Sequence, residues 1–117
     1  MTKILLPVAL LILAFKATDK LTGRWETVPS PAGNVTGVIF KPDLSFEGYI
    51  NKKPFVTGNY SLKDSLFSFV DNGCEGKGAT YKIIFFSNDD SVRFVPVEDP
   101  CTERMNGMSR LVMGRVN

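Results

Sequence analysis

Histidine is absent from the chain. That removes the commonest general base and the commonest metal ligand together. A Ser-His-Asp triad is excluded, and neither Ser-x-x-Lys nor Gly-x-Ser-x-Gly stands in its place. Haem would lack its usual ligand and have only Tyr49, Tyr60 and Tyr81 to turn to. Cysteine is scarce too. Cys74 and Cys101 are the only two, a poor zinc site without histidine and a weak nucleophile without an adjacent base. An excess of one charge is also missing, since 14 Lys and Arg face 12 Asp and Glu. Nucleic acid, which demands a basic surplus, is not an expected partner.

The carboxylates that remain concentrate late in the chain, at Asp71, Glu75, Asp89, Asp90, Glu98, Asp99 and Glu103. They fall mainly in turns, where Asp is ordinary turn chemistry rather than a catalytic pair in a cleft. The stretch Asp71-Asn72-Gly73-x-Glu75 lacks the spacing of a calcium-binding EF-hand loop. The expectation is no enzyme, no cofactor and no metal.

One long apolar run is present, residues 4–15 (ILLPVALLILAF), with Lys3 before it and Lys16 after it. Its 12 residues fall short of the about 20 that a membrane-spanning helix needs. They match the apolar region of a secretory signal. Residues 1–17 are therefore read as a signal peptide ending at Ala17, and 18–117 as a single domain. An uncleaved anchor or a buried first element is the alternative. No cysteine lies near the end of the run, which argues against a lipid-anchored lipoprotein. Cleavage removes Lys3 and Lys16 and leaves basic and acidic residues balanced at 12 each. The expected destination is the periplasm, the outer envelope or the medium, with no stable membrane span after cleavage. An even cysteine count in a small exported domain reads as one disulfide, Cys74 to Cys101.

From Leu21 onward apolar and polar residues alternate, and Gly, Pro, Asn or Asp punctuate the text at short intervals. Short antiparallel strands have this pattern. Strands are expected at 23–28, 35–41, 44–51, 56–62, 66–71, 79–86, 91–97 and 109–116. Turns follow at Lys41-Pro42-Asp43-Leu44, Asn51-Lys52-Lys53-Pro54, Lys63-Asp64 and Asn88-Asp89-Asp90. Sequential strands joined by short loops make a meander, and closing it on itself hides both edges. The fold class is all-β, an eight-stranded antiparallel up-and-down barrel. Glycines inside the strands supply the curvature of a small barrel. Helix is confined to a turn or two at 98–106, before the last strand.

Gly23-Arg24-Trp25 opens the first strand, and Asp71-x-x-Cys74, Gly78-x-x-Tyr81, Phe94 and Asp99-x-Cys101-x-x-Arg104 follow. This pattern resembles small bacterial lipocalin-like (calycin) domains. The resemblance implies a barrel whose Trp25 plugs one end beneath an arginine, with Arg104, Arg110 and Arg115 as the candidates. Gly23 belongs to the same closure.

Alternation points Trp25, Val38, Phe40, Leu44, Phe46, Val56, Tyr60, Leu66, Ile83, Phe85, Phe94 and Val112 inward. An eight-stranded barrel is just wide enough to fill with side chains or to hold one small ligand. Phe40, Phe46, Tyr60, Phe85 and Phe94 are the expected lining of an apolar pocket. Two segments, 66–70 and 83–86, are apolar on both faces, which places Phe67, Phe69, Ile84 and Phe86 outside as a surface for a protein partner or self-association. The leading expectation is an exported lipocalin-like barrel that binds a small apolar ligand in or at the mouth of the barrel. The alternatives are a protein-interaction barrel, such as a secreted protease inhibitor acting through residues 18–21 or 28–34 (VPSPAGN), and a ligand-free structural envelope protein.

Overall fold

A computed structural model of the protein describes residues 20–117. The signal peptide expected at 1–17 lies outside the described residues, as do Thr18 and Asp19. Eight strands follow one another: β1 Gly23–Glu26, β2 Thr36–Phe40, β3 Ser45–Ile50, β4 Lys53–Lys63, β5 Leu66–Asp71, β6 Ala79–Phe86, β7 Ser91–Glu98 and β8 Val112–Val116. Each pairs antiparallel with the next, and β1 pairs with β8, so the sheet closes into an up-and-down barrel.

The connections sort into two ends. At the N-terminal end the chain enters at Lys20 and the β2–β3, β4–β5 and β6–β7 turns gather. The helix end carries the β1–β2 loop, the β3–β4 turn, a short turn at Cys74–Gly76, and helix α1 at Thr102–Arg110. Among the described residues no helix is long and apolar enough to cross a membrane.

Two turns share one pattern. In Ser30-Pro31-Ala32-Gly33-Asn34, the Gly33 N–H donates to Ser30 O (2.7 Å) and the Ser30 N–H to Asn34 O (2.9 Å). In Lys41-Pro42-Asp43-Leu44-Ser45, the Leu44 N–H donates to Lys41 O (3.0 Å) and the Lys41 N–H to Ser45 O (2.9 Å). Proline presets the turn, and a left-handed residue then returns the chain to the second strand. That residue is Gly33 (φ 85°) in one turn and Leu44 (φ 70°) in the other. The β3–β4 turn is tighter. Asn51 and Lys52 are both left-handed, so β4 starts at Lys53 and takes in Pro54, next to the register shift at Gly48/Tyr49.

Three inward and outward expectations, those for Leu66, Phe67 and Phe69, are corrected by the register of β5. Phe67 and Phe69 point into the barrel, buried opposite Leu62 and Tyr60 of β4, while Leu66 and Val70 face solvent. A run that is apolar on both faces does not reveal its own orientation. The two-residue β4–β5 turn, with Lys63 opposite Leu66, sets it. The larger phenyl rings also bury more apolar area than Leu66 and Val70 would. Leu44 and Val112, expected inside, are exposed as well, Leu44 in its turn and Val112 at the mouth where β8 begins. In β6 the expected alternation holds, with Ile83 buried, Ile84 half-buried on the outer side and Phe86 exposed.

The helix lies later than 98–106. Strand β7 continues to Glu98, and Asp99-Pro100 makes the turn before Cys101 takes the N-cap position of α1. Proline keeps the preceding Asp99 out of helical geometry. The Asp99 carboxylate accepts the Cys101 N–H instead (2.9 Å). Helix α1 therefore runs to Arg110, and β8 starts at Val112 rather than 109.

Candidate functional site

The barrel interior is occupied by its own side chains. Phe40 lies 5.0 Å from Tyr60 and 5.7 Å from Phe67, ring centre to ring centre. Phe67 meets Phe94 at 5.6 Å, and Phe69 meets Phe46 at 5.9 Å and Tyr81 at 6.0 Å. Four of the five residues expected to line a ligand pocket, Phe40, Phe46, Tyr60 and Phe94, thus belong to one ring cluster. Phe67 and Phe69 sit in the middle of it. The fifth, Phe85, stands apart and meets Trp25 edge-on at 6.3 Å. An open groove of about 460 Å³ lies on the outer wall, bordered by Lys41, Glu47, Thr57, Asn59 and Asn72.

Trp25 seals the N-terminal end. It is fully buried, and its indole N–H donates to Leu21 O at 2.8 Å. The Arg115 guanidinium lies 4.3 Å over the ring, a contact favourable by about 0.5–2 kcal/mol. Arg115 also donates to Lys20 O (2.8 Å) and Thr22 O (3.3 Å), which fixes the incoming chain. Gly23 adopts φ 129° beside Arg115. Of the three candidate arginines, Arg115 covers the tryptophan. Arg110 is exposed on the last turn of α1, and Arg104 lies at the other end.

Arg104 closes the helix end. It lies 5.1 Å over the Phe69 ring and donates to Asp99 through Nε and Nη2, with Nη2 to Oδ1 at 2.9 Å. Its Nη1 reaches both oxygens of Asp71 at 3.3 Å, and Nη2 reaches Lys77 O at 2.9 Å. The Tyr81 hydroxyl donates to the second Asp99 oxygen at 2.5 Å. The side chains of Arg104, Asp71 and Asp99 are 9%, 8% and 0% exposed. Beside them Cys74 and Cys101 are joined, with Cα atoms 6.0 Å apart. The two cysteine motifs thus meet as one clasp, each bringing an aspartate and a half-cystine, with Arg104 between.

The electrostatics follow from that geometry. Burial alone would push the Asp99 carboxyl up, but hydrogen bonds from Arg104, Tyr81 and the Cys101 N–H outweigh it and hold it below its usual range. The Asp99 hydrogen bond raises the Arg104 guanidinium against its own burial. Burial, and then Asp99, keep the Tyr81 hydroxyl protonated far above its ordinary value. Among the described residues every buried side-chain nitrogen or oxygen has a hydrogen-bond partner. No three His, Cys, Asp or Glu residues there converge as a metal site would require. In the clasp Tyr81, Asp99, Asp71 and Arg104 are all engaged with one another.

The β1–β2 loop stands above this end as a fixed projection. Asn51 holds it twice, accepting the Val35 N–H (2.9 Å) and donating to the Asn34 side chain (2.9 Å). Ser30 braces the tip by accepting the Asn34 N–H at 3.1 Å. Val28 is 82% exposed, and Phe55, Val97 and Ile50 are exposed at the same end. On the outer wall Tyr49 lies across Gly37 and donates to the Glu26 carboxylate, three residues in one row of the sheet. A Cβ at position 37 would fall inside that ring.

No protein-family model matches the chain, and no curated protein matches it in sequence. The pairing of Asp71 with Arg104 and the Tyr49–Glu26 bond were missed by sequence reasoning. Only the first had a signal: each cysteine has an aspartate two or three residues before it, and one has an arginine three after.

Proposed function

We propose that the chain is an exported, lipocalin-like barrel that binds another protein through the loops of its helix end and catalyses no reaction. The filled interior carries this reading. Phe67 and Phe69 occupy the space that an internal ligand would need, and Trp25 with Arg115 and Arg104 with Asp99 close the two ends. A barrel of this width holds either its own side chains or one small ligand. What it offers a partner is its surface. Exposed apolar groups on ordered backbone mark such surfaces, and a preformed loop loses little entropy on binding. Val28, held on the loop that Pro29, Pro31 and Asn51 stiffen, is the outstanding group. The lipocalin-like assignment rests on Gly23-Arg24-Trp25 with Arg115 over the indole, and on the paired cysteine motifs. Export is supported by the apolar run at 4–15 and by the disulfide.

The test is capture from the protein's own host with tagged chain, comparing wild type with Val28→Asp. The proposal expects a defined protein in near-equal amount with wild type, lost with the variant while the circular dichroism stays unchanged. Equal capture by both, or no protein with either, overturns it. A small apolar molecule carried by both would return the weight to ligand binding at the mouth.

A further inference from the structure

The helix end of the barrel is divided by charge. One half is built by the β1–β2 loop and the β3–β4 turn, which Asn51 ties together through Val35 and Asn34. It presents Lys52 and Lys53, both exposed and neither paired with a carboxylate among the described residues. Below them on the outer wall the Tyr49 hydroxyl engages Glu26, and Arg24 lies 5.8 Å over the same ring. Those two charges offset each other. The other half is built by the ends of β5 and β7, the Cys74–Gly76 turn and α1. There Arg104 is taken up by Asp71 and Asp99. Around them Glu75, Glu98 and Glu103 stand exposed against Lys77 and Arg110. Five carboxylates against three cations leave this half two units negative, while Lys52 and Lys53 leave the first two units positive.

Apolar groups are exposed in both halves, Val28, Ile50 and Phe55 in the first and Val97 in the second. A two-fold axis along the boundary lays each half on the opposite half of a second copy. Unlike charges then face each other twice over, as an isologous contact requires. The sheet is closed, so two copies meet through loops and side chains rather than by adding a strand. We propose that the protein bound by the helix end is a second copy of this chain, docked two-fold with the basic half of each on the acidic half of the other. The proposal rests on the reading of this end as a protein-binding surface and names its occupant. Burial of Val28, Ile50, Phe55 and Val97 supplies the affinity, and the charges fix the orientation. Such a dimer closes at two copies and leaves the Trp25 ends pointing apart.

The test is sedimentation equilibrium of the purified chain. Wild type is expected to dimerise with a dissociation constant of about 10 μM or tighter. Raising salt to about 1 M should weaken the dimer severalfold. Lys52→Glu with Lys53→Glu makes the exposed charge of this end acidic throughout, and Glu75→Lys, Glu98→Lys and Glu103→Lys together make it basic. Each variant alone should dimerise at least about tenfold more weakly, with its circular dichroism unchanged. Their equimolar mixture should regain the wild-type affinity, because both contacts are complementary again. A wild type still monomeric at about 100 μM overturns the proposal. So does a dimer indifferent to salt or to both variants, or a mixture no tighter than its components. A monomer that captures a different protein through Val28 overturns the second copy alone and leaves the helix end as a binding surface, so the two failures are told apart.

Discussion

Leu44 occupies in the β2–β3 turn the left-handed position that Gly33 occupies in the β1–β2 loop. The hydrogen bonds are the same in both turns, but the residue that suits the conformation is present in only one. A non-glycine residue in that region costs about 1–2 kcal/mol. Leu44→Gly should therefore stabilise the barrel by about 1 kcal/mol, raising the melting midpoint by about 4 °C or more. A midpoint that falls would mean that Leu44 contributes more by packing than its turn costs.

Arg104 is the hub of the helix end, and its loss should be felt strongly. Arg104→Met leaves Asp99 and Asp71 without their cation, and breaking a buried pair costs about 3–5 kcal/mol. Urea denaturation of the variant measures this. A loss under about 1 kcal/mol, the range of surface pairs, would show that the clasp is solvated.

Acid should weaken the same clasp. The folded Asp99 carboxyl is held below its ordinary value of 3.8, so its contribution is complete above that pH. It is lost as pH falls through the lower folded value, because the unfolded chain takes up the proton first. Asp99→Asn should flatten stability against pH below 3.8, whereas wild type declines. Parallel curves would remove Asp99 from the account.

The disulfide and Arg104 tie the same two segments together. Opening the bond should cost about 3 kcal/mol or a little more, yet leave a folded barrel while Arg104 still holds Asp71 and Lys77. Cys74→Ser with Cys101→Ser, combined with Arg104→Met, should cost more than the two separate losses added. Simple additivity in a double-mutant cycle would show that the two ties act independently.

Tyr49 gives an alkaline counterpart. Burial, then the bond to Glu26, raise its hydroxyl to about 12 from an ordinary 10.0. A raised value stabilises fully below pH 10 and loses that contribution as pH climbs from 10 to about 12. Tyr49→Phe should remove this part of the decline. Gly37→Ala, which pushes the ring off Glu26, should do the same and also lower stability at neutral pH.

The order of strands was legible because turns such as Lys41-Pro42-Asp43-Leu44 punctuate a period-two pattern that few other folds accept. Closure was legible from strand number and short loops, and the cysteine pair from its parity. The orientation of β5 was not. Leu66, Phe67, Phe69 and Val70 are all apolar, and a two-residue turn decided which faced inward. That one choice turned Phe67 and Phe69 inward, among the residues expected to line a pocket. The partners of Arg104 were half legible, because Asp99 lies in its own motif while Asp71 comes from 33 residues away. Tyr49 and Glu26 meet across a neighbouring strand through the gap at Gly37, a relation that only the register reveals.

The central claim is that recognition happens on the outside of a filled barrel. Native mass spectrometry of the protein purified gently from its own host tests it most directly. The account predicts a barrel free of small molecules, carrying a protein partner that Val28→Asp releases. A stoichiometric apolar molecule retained by the bare barrel would contradict it.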